Sequence, residues 1–233
     1  MNIFLFKNRI GILLLVLSLF AASCQKKWKK PTDVSVNFLL NSNSSDGFVK
    51  FTSGYFLLAR IDFDGVRKQG DNNVAFSKDY DPNTQILLSA STSLSSVAFD
   101  IPQGTYTDID LEVRTEEQAN DDPTIIVYGT YVNSAFDTLA VRFEFTSGET
   151  FEVQGQNSSG GTEVLLIEDQ PATTAIIFNP KYWFDVVPQS MLESATIVIE
   201  NSVQTIIISE SENEDIYQLV VARLNDGNQA IFN

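Results

Sequence analysis

The stretch FDIPQGTYTDIDLEVR, residues 99–114, decides the fold. From Thr105 onward apolar and polar side chains alternate with a period of two. Thr107, Ile109, Leu111 and Val113 fall on one side, and Tyr106, Asp108, Asp110, Glu112 and Arg114 on the other. Successive side chains of an extended chain point to opposite faces, so this pattern describes a strand with one buried and one wet face. The triplet Pro102-Gln103-Gly104 before it reads as a turn, because Gly relieves and Pro fixes backbone angles that strands avoid.

The same alternation recurs on both sides. Val34, Val36 and Phe38 alternate with Ser35 and Asn37, and residues 47–67 hold apolar runs broken at Thr52-Ser53-Gly54. Further strands are expected near 84–90, 95–101, 124–132, 138–146, 149–155, 163–168, 173–178, 195–200 and 204–208. Residues 68–83, rich in Asp, Asn and Gly, read as a loop, and 115–123 as an acidic loop. VRFEFTSGETFEV (141–153) reads as a hairpin, with Val141, Phe143 and Phe145 facing Phe151 and Val153. A short helix is expected at 188–193 behind Pro188. A second follows, capped by Ser211 with Glu214, carrying Ile216, Leu219, Val220 and Leu224 at helical spacing and stopped at Asp226-Gly227. The expectation is therefore a mainly β protein: one β-sandwich domain over 34–233, immunoglobulin-like or transthyretin-like, with a short C-terminal helix.

Pro102, Gly104 and Tyr106 resemble the P-x-G-x-Y strand start of transthyretin-like and prealbumin-like modules. The resemblance implies that Gly104 makes the turn and that Tyr106 begins a strand flanking the core. It also implies the stalk, adhesin or spacer roles that such modules serve. The arrangement as a whole, with Trp183-Phe184 and the helix start at Asn213–Tyr217, is similar to Gram-negative lipoproteins with one β-sandwich and no assigned activity.

The N-terminus has its own logic. Lys7 and Arg9 precede an apolar run from Ile10 to Ala22, and small residues lead into Cys24. This is the order of a secretory signal peptide, and the run is shorter than the ~20 residues a spanning helix needs. Ala21-Ala22-Ser23-Cys24 resembles a lipobox, although Ala21 stands where Leu is usual. The resemblance implies removal of residues 1–23 and lipidation of Cys24, the one cysteine in the chain. Residues 24–33 then form a tether containing Lys26, Lys27, Trp28, Lys29 and Lys30. Gln25 directly after the cysteine implies the outer membrane, and the basic rather than acidic tether favours its periplasmic face over the cell surface. The membrane, reached through the lipid anchor, is thus one expected partner.

All 30 acidic residues lie from Asp33 onward, where nine of the 15 basic residues remain, a formal net charge of −21. Such a domain is unsuited to nucleic acid, whose phosphates require a basic face. There is no histidine. This excludes Ser-His-Asp and Cys-His catalysis and His-ligated zinc.

Two candidate sites remain. Asp62 and Asp64, two apart on a strand, point the same way and could share a calcium ion with oxygens around Asp71. The sequence marks no other cofactor. Tyr182-Trp183-Phe184 presents Trp183 as a candidate stacking platform for a sugar ring or a partner. Three functions follow. The first is a non-enzymatic envelope module that binds a partner protein or serves structurally. The second is a calcium-assisted glycan-binding or adhesion module. The third is a carboxylate-dependent hydrolase, which needs two facing acids in a cleft.

Overall fold

A computed structural model describes residues 30–41, 48–119 and 122–233. Cys24 and the lysines at 26, 27 and 29 lie outside them. Fourteen strands dominate: β1 Pro31–Leu40, β2 Val49–Gln69, β3 Asn72–Tyr80, β4 Thr84–Ser89, β5 Ser96–Pro102, β6 Gly104–Thr115 and β7 Ile125–Val132 come first. β8 Thr138–Phe145, β9 Thr150–Asn157, β10 Val164–Leu166, β11 Ala172–Phe178, β12 Ile197–Glu200, β13 Val203–Ile208 and β14 Gln229–Phe232 complete them. Among the described residues three short helices are interposed: α1 Pro180–Phe184, α2 Gln189–Ser194 and α3 Glu214–Val221. None of the described helices is long and apolar enough to cross a membrane.

The spine is β2, 21 residues long. One of its edges carries β7 along Val49–Phe56 and then β6 along Leu58–Arg67; the other carries β4 and β3. The path runs β12-β13-β8-β7-β2-β6-β9-β14-β11-β1-β5, with β10 on the end of β6 that β9 leaves free. The parallel β9–β14 pairing carries the sheet into a second leaf, β14-β11-β1-β5, which faces the first. Their inner faces meet in an aromatic core. Phe56 of β2 packs edge-on against Phe38 of β1 at 5.4 Å and Phe178 of β11 at 5.2 Å, while Phe151 of β9 meets Phe178 at 4.9 Å. Two facing leaves with alternating inward side chains make a β-sandwich, and the chain is mainly β as its periodicity requires.

Several local expectations are corrected. The tether does not reach residue 33: β1 begins at Pro31, because Thr32 pairs with Ile101 and is buried. Residues 68–83 are not a loop. β2 continues to Gln69, turns at Gly70-Asp71 and returns as β3, whose polar side chains suit an exposed outer strand. Residues 141–153 are not a hairpin: β8 pairs with β7 and β13, β9 with β6 and β14. Since β6 and β7 lie end to end along β2, the strands outside them are also end to end, joined by the 146–149 turn. Ser211 does not cap α3. The residue before the helix is Asn213, in the left-handed region at φ 53°. Its side chain accepts from the Thr196 amide at 2.7 Å and donates to the Ile207 carbonyl at 2.6 Å, tying the helix start to β13 and to the entry of β12.

The opening stretch of sequence holds one more difference. Tyr106 does not face solvent with Asp108 and Asp110; it is fully buried, as Ile109 is. A register shift sets Val66 opposite Asp108 but Arg67 opposite Tyr106, leaving Thr107 as an extra residue in β6. This bulge turns Tyr106 inward.

Candidate functional site

Asp62 and Asp64 do share the outer face of β2, as strand geometry requires. Asp62 stands between Asp79 of β3 and Glu112 of β6, and Asp64 between Ser77 and Asp110. The Asp62 carboxylate is already engaged. Arg60 Nε reaches one oxygen at 2.5 Å and Arg114 Nε the other at 2.7 Å. Arg60 also pairs with Asp79, and the Ser77 hydroxyl donates to Asp64. Asp71 lies apart, in the turn between β2 and β3. The three aspartates are therefore not gathered around one point. Among the described residues no three potential metal ligands of the His, Cys, Asp and Glu types converge.

The acids on this face form an open depression of about 360 Å³, lined by Arg60, Asp62, Asp64, Asp79, Glu112 and Arg114. Beside it Asp110 has its pKa raised, first by partial burial and then by Asp108, Asp64 and Glu152. On the other leaf Asp33 and Asp100 face each other across β1 and β5, and Asp33 is raised by its hydrogen bond to Asp100. Asp33, Asp100, Asp64 and Asp110 all lie on exposed strand faces.

Trp183 is 1% exposed. Its ring lies parallel to Phe151 at 6.4 Å and edge-on to Phe178 at 6.5 Å. The stacking platform expected there is instead part of the core, because α1 presses its apolar side between the leaves, against Phe151 of β9 in one and Phe178 of β11 in the other. The neighbouring Tyr182 is exposed, and its ring lies over Gly227. The Ile216 face of α3 is core as well: Ile216, Tyr217 and Val220 are buried.

The most exposed large apolar side chain among the described residues is Phe136, at 88%, in the loop between β7 and β8. Its backbone is left-handed, φ 67°, a conformation that costs a residue with a Cβ about 1–2 kcal/mol. The loop is held from both sides. Asn133 Oδ1 accepts from the amides of Ala135 at 3.0 Å and Asp137 at 2.8 Å, and the Phe136 amide donates to the Asn133 carbonyl at 3.0 Å. Glu193 of α2 accepts from the Ser134 amide at 2.8 Å and from the buried Tyr131 hydroxyl at 2.7 Å. These hydrogen bonds, Tyr131 first, lower the Glu193 pKa below the usual carboxylate range.

Next to the loop, Phe48 and Val132 are also about half exposed. The register that pairs Val49 with Tyr131 brings them side by side. A hollow of about 100 Å³ opens alongside, walled by Phe48, Phe51, Phe184, Val187 and Leu192 with Lys181 and Asp185 at its rim. Strand periodicity does not single out this tip. Its signal was a lone Phe in the polar loop Asn133–Asp137, between two alternating strands. No family model, no curated protein and no solved structure matches the chain.

Proposed function

We propose that this chain is a lipid-anchored envelope protein, held through Cys24 on the periplasmic face of the outer membrane. Its β-sandwich is a non-enzymatic module that binds a partner protein through the tip carrying Phe136. The anchor reading rests on the signal-like N-terminus and the lipobox resemblance. The non-enzymatic reading rests on the missing histidine and on acids that lie on open faces rather than in a cleft.

The observation that carries the binding role is Phe136. A large aromatic ring held in solvent by a strained, multiply braced backbone costs stability, and burial in a partner repays it. Phe48, Val132 and the adjoining hollow extend the same apolar surface. The partner this fits is a protein with a pocket for an aromatic ring.

The test is site-specific photo-crosslinking in intact cells, with a photoreactive phenylalanine analogue at position 136 and, as a control, at Ile199. A discrete adduct from 136 and none from 199, lost in a chain carrying Phe48→Ser, supports the reading. Equal, diffuse labelling from both positions refutes it. Separately, the Cys24→Ala chain is expected to leave the membrane fraction, and its retention there refutes the anchor.

A further inference from the structure

The chain leaves the described fold at Lys30, in a corner knit from four segments. The Gln103 amide donates to the Lys30 carbonyl at 3.0 Å, and the Thr32 hydroxyl to the Ile167 carbonyl at 3.1 Å. The Glu168 amide donates to Gln103 Oε1 at 3.2 Å, and Arg67 Nη1 to the Gln103 carbonyl at 2.6 Å. The corner is thus fixed relative to the sandwich. It lies at the Arg67 end of β2, whereas the Phe136 loop lies at the Val49 end.

Next to this corner β10 alternates out of step with what a soluble edge needs. Val164 and Leu166 are buried, but Leu165 is 61% and Ile167 42% exposed. The acids flanking this pair are ion-paired, Glu163 with Lys68 at 2.6 Å and Glu168 with Lys30, and Asp169 also acts on Lys30. Two apolar side chains thus stand out of the surface between two neutralised ion pairs. That combination tolerates removal from water better than the acidic faces elsewhere on the domain.

We infer that the Leu165–Ile167 corner is where the domain rests on the lipid surface. This rests on the anchor reading above. Six residue steps separate Cys24 from Lys30, and a chain of that length reaches at most about 20 Å. An acylated Cys24 therefore keeps this corner, rather than the opposite Val49 end of β2, closest to the headgroups. Lys26, Lys27, Trp28 and Lys29 between them have the composition that settles at such an interface. Seated in this way, the sandwich points the Phe136 tip away from the bilayer.

The test uses the lipidated full-length protein, in which the thiol of Cys24 is consumed by the anchor. Cysteines introduced at Leu165 and, separately, at Phe136 are labelled with an environment-sensitive nitrobenzoxadiazole dye. Each labelled protein is reconstituted into phosphatidylethanolamine–phosphatidylglycerol vesicles with and without spin-labelled lipid. The expected result is a blue-shifted emission at 165 that spin-labelled lipid quenches at least twofold more than at 136. Equal, water-like emission at both positions, in protein that floats with the vesicles, overturns the seat while leaving the anchor intact. A blue shift at 165 in whole envelopes but not in vesicles also overturns it and assigns the corner to a protein neighbour. Flotation of the Cys24→Ala chain equal to that of the parent removes the anchor and the proposal with it.

Discussion

The Tyr106 hydroxyl donates to the Pro102 carbonyl at 2.8 Å, across the turn at Gly104. The ring beneath it is fully buried and stands edge-on to Phe63 at 5.7 Å. It also occupies the space over Gly65, where a Cβ would lie 2.7 Å from Cε1. One side chain thus fixes the β5–β6 turn, fills the end of the core and accounts for a glycine in the spine strand. Tyr106→Phe removes the hydrogen bond alone and is expected to cost about 1 kcal/mol in urea denaturation. Tyr106→Ala removes the ring as well and is expected to cost about 3–5 kcal/mol. Equal losses in the two variants would show that the ring contributes nothing, contrary to its packing.

This pair also marks how far the sequence could be read. Strand identity was legible wherever one face is buried, because alternation then carries the signal: Ile109, Leu111 and Val113 are all core. Simple alternation puts Tyr106 outside with Asp108 and Asp110, whereas it is fully buried. One inserted residue at Thr107 inverts the faces, and a bulge has no signature in composition. Partner choice was less legible than strand identity. The turn at 146–149 looks like any hairpin turn. Only β2, long enough to carry β6 and β7 in tandem, separates β8 from β9. β3 was missed because an outer strand need not bury an apolar face. Of the candidate site residues, Asp62 and Asp64 fell on one face as read. What strand spacing could not show was that two arginines from different strands already hold Asp62.

That engagement sets the response to calcium. A cation at Asp62 must displace Arg60 and Arg114 before it gains a ligand, and Asp71 is not nearby to help. Millimolar calcium is therefore expected to leave the melting temperature unchanged, since a ligand stabilises only as far as it binds the folded state. Asp62→Asn is expected to lower it, and the loss shrinks at high salt because the two arginines are partly exposed. Thermal melts with calcium, magnesium and added sodium chloride check both. A rise with calcium that is abolished in Asp62→Asn would restore the metal site.

Asp110 gives a pH dependence with a definite sign. Its folded pKa is raised by partial burial and by Asp108, Asp64 and Glu152. The folded chain therefore binds this proton more readily than the unfolded chain does. At neutral pH the charged carboxylate destabilises the fold, and the penalty is relieved as pH falls through the raised pKa toward the unfolded value. Asp110→Asn, which cannot carry the charge, is expected to be more stable than the parent at pH 7. The gain is at most about half a kcal/mol, the scale of facing like charges on neighbouring strands, because the side chain is exposed and solvent screens its neighbours. The difference should vanish once the pH lies below the unfolded carboxylate pKa. Denaturation curves of both proteins from pH 7 downward measure it, and a gain that persists into acid would rule out the electrostatic cause.

Phe136 separates function from stability more sharply than any other position, because its two effects point in opposite directions. An asparagine accepts the left-handed backbone that Phe136 is forced into at φ 67°. Phe136→Asn is therefore expected to stabilise the isolated protein by about 1 kcal/mol, which for a domain of this size is roughly 2–4 °C in Tm. The same change is expected to abolish partner capture at the tip. Glu193 offers an independent handle. Its pKa is depressed by Tyr131 and Ser134, so the bracing it provides is complete above the unfolded carboxylate pKa and is lost as pH falls through the folded one. Amide exchange at Ser134 should accelerate in that acid range in the parent, while Glu193→Gln should show no such acid-dependent change. A Phe136→Asn protein that is less stable than the parent would mean that the ring is held by its own chain. The tip would then be ordinary loop packing rather than a surface kept for a partner.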